Sequence, residues 1–305
     1  MLKHVKDLMS VVHQTQPKRM AVVFAHDAHV IEAIASCLPY TTLHPILIGD
    51  EPVIHQLISG YPLLNDVSII HETDPESATK IAMDLVNKNE ADIVMKGLID
   101  TKYLLKGVVN REYGIRQQPL LSHVGLVSFP LYDHLIIATD GAMNIAPNPE
   151  EMVQIIENAV RVAHGLGIKK PKVGLVSAVE KPNEKIASTM MAEAVKAHYQ
   201  QVDVGSFYID GPFAVDNLVS EESVKSKGIT SPVAGSADIL VFPNLDGGNI
   251  FYKTAVFLAK GASAGLVVGA KVPIVLTSRA DSAEAKQYSI MLAVVIQDGL
   301  LAADH

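Results

Sequence analysis

Residues 20–50 read MAVVFAHDAHVIEAIASCLPYTTLHPILIGD, and this stretch decides the fold class. Met20–Phe24 is a short continuous apolar run, the pattern of a strand buried on both faces. Ala25-His26-Asp27 is a polar turn, after which Ile31, Ile34 and Leu38 recur at helical spacing. Pro45–Gly49 is apolar again. Strand, turn, helix and strand in immediate succession form a crossover unit, which joins parallel strands.

The same rhythm continues outward. Val53–Ile58 reads as helix, Val67–Ile70 as strand, Pro75–Asn87 as helix and Asp92–Met95 as strand. Leu121–Phe129 and His134–Thr139 are both extended with no long helix between them, so an antiparallel pair and a change of domain are expected there. A helix over Pro149–Leu166 follows, then a strand at Lys172–Ser177, a helix at Glu184–His198 and strands at Val204–Tyr208 and Ile239–Phe242. Asn249–Lys260 is helical, Leu266–Gly269 and Ile274–Leu276 are strands, and Ala283–Gln297 is the last helix. No solenoid repeat, low-complexity segment or obvious linker interrupts the series. The fold class is α/β.

Composition narrows the function classes. The chain has 305 residues, and single cores stop growing at about 250–300 residues, so two domains are expected. Aromatics make up 5% and Trp is absent, which leaves Val, Ile, Leu, Ala and Met to build the core. The net charge of −8 argues against nucleic acid or an anionic membrane as partner, while a small anion needs only a few local cations. No apolar run approaches the roughly 18–20 residues of a membrane span, and the N-terminal stretch lacks a signal-peptide core. Cys37 is the single cysteine, so no intrachain disulfide can form and a reducing, cytoplasmic compartment is the simplest reading. A small core hydrophobe on a helix accounts for it.

In a parallel sheet, ligands sit at the carboxyl ends of strands, so the polar loops there are the candidate sites. The first is Met95-Lys96-Gly97-Leu98-Ile99-Asp100-Thr101. Lys96 and Thr101 offer an ammonium and a hydroxyl, and Gly97 permits a tight turn; a solvated lysine beside an ordinary turn reads equally well. The second runs from Thr139 to Asn148. Asn148 ahead of Pro149 is a helix start, whereas capping does not explain Asp140 or Asn144. The third, Asp210-Gly211-Pro212 to Asp216, brings two carboxylates suited to a metal or to acid–base work, or simply turn chemistry. In the fourth, Asp246-Gly247-Gly248-Asn249 leads into a helix N-terminus, where free N–H groups favour anions. The companion stretch Thr277–Glu284 places Ser278 and Arg279 just before the last helix, with Asp281 and Glu284 as a capping pair. A hydroxyl, a guanidinium and a helix N-terminus make a cradle for phosphate or thiolate. There is no CxxC, HExxH, GxGxxG or P-loop, and the 12 histidines are scattered.

Residues 248–253 (GNIFYK) and 265–286 (GLVVGAKVPIVLTSRADSAEAK) closely resemble the C-terminal part of phosphate butyryltransferases. Residues 139–155 (TDGAMNIAPNPEEMVQI), 210–217 (DGPFAVDN) and 228–249 (GITSPVAGSADILVFPNLDGGN) match the same family in the same order. The likeness runs from about Asp92 to about Ala293. It implies an acyltransferase exchanging a short acyl group, butyryl in the first instance, between coenzyme A and inorganic phosphate. These two are substrates, and no cofactor and no metal is implied. Phosphate acetyltransferases are similar and share the fold, which looks like the isocitrate and isopropylmalate dehydrogenase architecture: two α/β domains with a cleft, usually a homodimer or higher homo-oligomer. The domains implied are 1–128 plus 268–305, and 129–267.

By the same resemblance Ser278 and Arg279 are catalytic, holding the thiol and phosphate groups. The acetyltransferases place a proposed base, an Asp, seven residues after that Ser; here the position is Ala285, so Glu284, Asp281 and Asp246 are the candidates. Lys96, Gly97, Thr101, Asp140, Asn144, Asp246, Gly247, Gly248 and Asn249 are the expected substrate-binding residues. Direct transfer is preferred, since no Ser-His-Asp or Cys-His set is evident. The alternatives are phosphate acetyltransferase, a metal-dependent NAD(P) decarboxylating dehydrogenase hinted at by Asp210 and Asp216, and a binding protein that has lost the chemistry.

Overall fold

A computed structural model describes residues 2–201, 205–277 and 281–303 of the chain. Its strands are β1 (Lys18–Val23), β2 (Leu43–Gly49), β3 (Ser68–His71), β4 (Ile93–Lys96), β5 (Ser122–Phe129), β6 (Tyr132–Thr139), β7 (Lys172–Val176), β8 (Tyr208–Phe213), β9 (Ile239–Val241), β10 (Ala262–Val268) and β11 (Ile274–Val275). Its α-helices are α1 (Leu8–Val11), α2 (Ala28–Cys37), α3 (Glu51–Ile58), α4 (Pro75–Asn87), α5 (Thr101–Val108), α6 (Pro149–Gly165), α7 (Ala187–Gln200), α8 (Val215–Val219), α9 (Glu221–Lys227), α10 (Leu245–Lys253) and α11 (Ala283–Ala303).

The chain divides into two compact units, each of them α/β. The first comprises Lys6–Leu121 and Ser263–His305. Its strand order is β3-β2-β1-β4-β11-β10, parallel throughout except for the antiparallel β10–β11 pair. Met20 to Val23 are wholly buried, as an apolar run covered on both faces requires. Turn chemistry repeats at each crossover. Asp27, Asp50, Asp74 and Asp100 are the N-caps of α2, α3, α4 and α5, each side chain accepting a backbone N–H of the first turn. Such a cap stabilises its helix by about 1 kcal/mol. The helix α11 packs on α2, where the Gln287 amide donates to the Ser36 carbonyl. Cys37 lies on this buried face, and burial pushes its thiol up to about 12.

The second unit comprises Met1–Val5 and Ser122–Ala262, with strand order β5-β6-β9-β7-β8. β5 and β6 form the antiparallel hairpin, and β6, β9, β7 and β8 run parallel. Its core includes Ile136, Phe213, Leu218, Val233, Leu240 and Phe242.

The expected strand at Val204–Tyr208 is displaced: β8 starts at Tyr208 and runs through Asp210-Gly211-Pro212, which the sequence presents as a turn. β8 is the terminal strand of its unit's order and pairs with β7 alone in that unit, so a proline without an N–H is tolerated. The register with β7 shifts between Gly174 and Val176, and Gly211 takes φ +148° there. A Cβ on Gly211 would meet the Leu175 Cβ at 2.7 Å. A second displacement concerns the helix expected from Asn249. It begins at Leu245, because Asn244 Oδ1 accepts the Gly247 N–H at 2.9 Å and so sets the cap earlier.

Candidate active site

In the first unit β4 and β11 are parallel neighbours, with Val94 opposite Ile274 and Met95 opposite Val275. Their following loops therefore leave the sheet at one edge. Gly97 closes the β4 loop against β1. Its N–H donates to the Val23 carbonyl at 2.8 Å, and an added Cβ would lie 2.1 Å from the Phe24 carbonyl oxygen. The residue needed here is one without a side chain. Lys96 turns its ammonium back on its own loop, donating to the carbonyls of Ile99 at 2.8 Å and Gly97 at 3.2 Å. Thr101 is the first residue of α5, directly after the Asp100 cap.

After β11, Ser278 and Arg279 lie outside the described residues. The cap of α11 corrects the expected Asp281–Glu284 pair: Ser282 Oγ accepts the Ala285 N–H at 3.1 Å, one residue later than Asp281. Glu284 is not spent on a capping box, and its Oε1 accepts from the Tyr288 hydroxyl at 2.9 Å. Tyr288 is buried, and burial together with Glu284 pushes its phenol up to about 12, so it stays a donor at neutral pH. The sequence does not single out Tyr288; its four-residue spacing from Glu284 on a helix is the signal that was available.

In the second unit β6 and β9 are parallel neighbours, and the Phe242 N–H donates to the Thr139 carbonyl at 2.8 Å. This brings the Asp140–Asn148 loop beside the first turn of α10. Asp140 is 3% exposed and is saturated. Its Oδ1 accepts the N–H groups of Ala142 (2.8 Å) and Met143 (2.9 Å). Its Oδ2 accepts the His123 N–H (3.1 Å) and the Asn144 amide (2.6 Å). A carboxylate with four donors organises its loop, and Asn144 is held as part of it. Asn249 donates to the Gly141 carbonyl at 3.1 Å, so Asp140, Asn144, Gly248 and Asn249 are neighbours.

The glycine pair differs from its expected role. Gly247 has given its N–H to Asn244, and Gly248 donates to the Asn244 carbonyl at 3.3 Å, so these two amides are not an open anion cradle. Asp246 is exposed in the same turn. Gly248 serves close packing: a Cβ there would sit 2.3 Å from the Asp140 carbonyl oxygen. Gly248→Ala is therefore expected to destabilise by about 1–3 kcal/mol, because backbone cannot yield as a side chain can. Gly247→Ala meets only ordinary contacts beyond Asn244 Oδ1 and should be neutral or stabilising by up to about 1 kcal/mol through helix propensity. Chemical denaturation of both variants checks the contrast, and equal midpoints would remove the packing argument.

Asp210 and Asp216 do not form a metal pair. Asp210 binds Lys196 at 3.1 Å, and Asp216 binds Lys227 at 3.3 Å and Ser223. Among the described residues no group of three His, Cys, Asp or Glu is placed to hold a metal, and no helix is long and apolar enough to cross a membrane.

Each unit thus presents polar loops at the carboxyl ends of parallel strands, the place where α/β proteins bind their ligands. Residues 65–294 match the family model described as Phosphate acetyl/butaryl transferase, and the chain belongs to that family and is a phosphate acyltransferase. It is 42% identical to the probable phosphate butyryltransferase of Bacillus subtilis over 95% of this chain and 96% of that one. It is 43% identical to the phosphate acetyltransferase of Thermotoga maritima, over 91% and 95%. Among solved structures, a branched-chain phosphotransacylase from Enterococcus faecalis superposes with a TM-score of 0.84 at 33% identity, covering 92% of this chain and 99% of that one. This corrects the isocitrate/isopropylmalate dehydrogenase-like architecture: the fold is that of the phosphotransacylases. Strand–helix alternation is common to many α/β folds and does not distinguish among them.

Proposed function

We propose that this enzyme moves a short acyl group, butyryl in preference, between coenzyme A and inorganic phosphate by direct transfer. The match over residues 65–294 carries the reading. In the direction of acyl-CoA, the thiol of coenzyme A loses its proton and the thiolate attacks the acyl carbonyl. A C–S bond forms, the C–O bond to phosphate breaks, and phosphate leaves with the electron pair. A free thiol titrates near 8.5, so a cation or base beside it raises the thiolate fraction. Arg279 and Ser278 supply charge and hydrogen bonds to the thiolate and the tetrahedral oxyanion. Glu284, exposed and oriented by the Tyr288 hydroxyl, is the preferred base, ahead of Asp281 and Asp246. The loops of Lys96, Gly97 and Thr101 and of Asp140, Asn144 and Asp246 to Asn249 bound the substrate-binding surfaces. Neither a cofactor nor a metal is invoked. We place the enzyme in the cytoplasm as a homodimer or higher homo-oligomer, on the single cysteine and the family likeness.

The experiment is coenzyme A release from acetyl-, propionyl-, butyryl- and isobutyryl-CoA with and without phosphate. Release should require phosphate, and butyryl-CoA should give the highest kcat/KM. Two methylenes at about 0.8 kcal/mol each set the butyryl preference over acetyl near tenfold. Equal release without phosphate would mark a thioesterase and end the reading. The Thermotoga maritima likeness favours a second reading, phosphate acetyltransferase, which a preference for acetyl-CoA would select.

A further inference from the structure

The second unit carries an apolar depression at the carboxyl ends of β7 and β9. It spans about 190 Å³, the open solvent at its mouth included. Val176 ends β7, Pro243 follows β9, Met152 stands near the start of α6, and Ser188, Met191 and Ala192 come from the first half of α7. Val176, Ser188, Met191 and Pro243 are half-buried, so the space reaches the surface. Among the described residues Ser188 is the one polar side chain in the lining, and no charged one reaches it. The Ser188 hydroxyl is paired with that of Ser177 at 2.8 Å. The Asp140–Asn148 loop leads directly into α6, and Pro243 leads into the Asn244 cap and the Asp246–Asn249 turn. Two walls of the depression are thus extensions of the segments assigned above to substrate binding. Ligand pockets are concave and mostly apolar, with a few placed polar groups, and one below roughly 300 Å³ takes a group smaller than a drug-sized molecule. Without a cation or an array of donors this one would leave a phosphate unsolvated, which excludes the anionic parts of both substrates. A short alkyl chain matches it in size and polarity. Methionine is unbranched and polarizable, so Met152 and Met191 can adjust to such a chain.

We infer that this depression receives the alkyl tail of the acyl group and sets the chain-length preference, with Ser188 and Met191 as the side chains that fix its size. This rests on the reading above, that a short acyl group is transferred and that the Asp140–Asn148 loop and the Asp246–Asn249 turn bound the substrate. Chain length is read by apolar burial: each methylene taken out of water favours the longer substrate by about fourfold. A tail that cannot enter stays in water and gains nothing, so filling the space removes the preference for butyryl over acetyl.

The test measures kcat/KM for acetyl-, butyryl- and hexanoyl-CoA with phosphate in the parent and in Ser188→Leu, Ser188→Ala, Met191→Ala and Met190→Ala. Ser188→Leu fills the space from α7 and should lower the butyryl-to-acetyl ratio by about tenfold. Ser188→Ala removes the same bond to Ser177 without adding volume, and its ratio should stay at or above that of the parent. Met191→Ala enlarges the space and should raise the hexanoyl-to-butyryl ratio by roughly four- to tenfold. Met190 is exposed beside it on α7 and does not line the depression, so Met190→Ala should keep the parental ratios. A parental ratio in either Ser188→Leu or Met191→Ala overturns the inference and leaves the depression an ordinary gap between helices. An equal fall in Ser188→Leu and Ser188→Ala would assign the effect to the lost hydroxyl bond and overturns it too, as does a shift in Met190→Ala as large as that in Met191→Ala. Should Ser188→Leu fail to fold, the hexanoyl-to-butyryl ratio of Met191→Ala decides by itself. Phosphate-dependent release with unmoved ratios ends this inference alone. Release from none of the acyl-CoAs, or release that needs no phosphate, ends the reading beneath it and this inference with it.

Discussion

Arg279→Lys is expected to lower kcat by about 10²–10³ while leaving the melting temperature unchanged, and Ser278→Ala is expected to lower kcat by less. Arg279 stands between β11, which ends at Val275, and α11, which Ser282 caps. Guanidinium presents a planar fork that can bind two oxygens of phosphate or of the oxyanion at once, and ammonium cannot reproduce it. Removing a donor aimed at developing charge commonly costs this much because the site is organised before the reaction begins. If Arg279 only held an ion pair for stability, the loss would fall on melting temperature and turnover would stay near normal. Both quantities read from one preparation separate the cases, and full turnover in Arg279→Lys would take the residue out of the catalytic machinery.

Asp140→Asn should be the most damaging conservative change in the second unit, by about 2–4 kcal/mol. Both carboxylate oxygens of Asp140 accept two donors each, from Ala142 and Met143 on one side and His123 and Asn144 on the other. An amide has one acceptor oxygen, so its NH₂ must face either the Ala142 and Met143 N–H groups or the His123 N–H with an Asn144 amide that has to turn over, and at least one part-buried donor loses its partner. Hydrogen bonds to a charged acceptor contribute roughly 1.5–3 kcal/mol each, and orphaned donors add their own desolvation cost. The Asp140–Asn148 loop would lose its anchor, so kcat should fall as well. An Asp140→Asn protein with parental denaturation midpoint would show that the carboxylate is not what holds the loop.

Much of the fold is legible in the chain itself. The helix at Pro75–Asn87 agrees at both ends, because Asp74 caps it and Pro75 fits its first position. The antiparallel turn-back of β5 into β6 follows from two apolar runs with no room for a helix between them. The ordered motifs carried the family. What the motifs could not give was the use made of each polar group. Asp140 reads as a ligand residue, and in the fold its two oxygens accept donors from its own loop and from the His123 N–H on β5. Gly247 and Gly248 read as an anion cradle, yet the Asn244 cap takes one amide and a close backbone approach explains the other glycine.

The division has a physical cause. Hydrophobic period, caps and turn residues act over a few positions, so the sequence by itself determined that strands and helices alternate, roughly where they lie and to which family the motifs belong. Which strands become neighbours, and therefore which loops meet, depends on contacts between distant segments. β11 lies beside β4 although about 180 residues separate them, and only the folded sheet brings their loops to one edge. Edge position likewise decided that Gly211-Pro212 is strand and not turn, since a proline is excluded only where its missing N–H has a partner to lose.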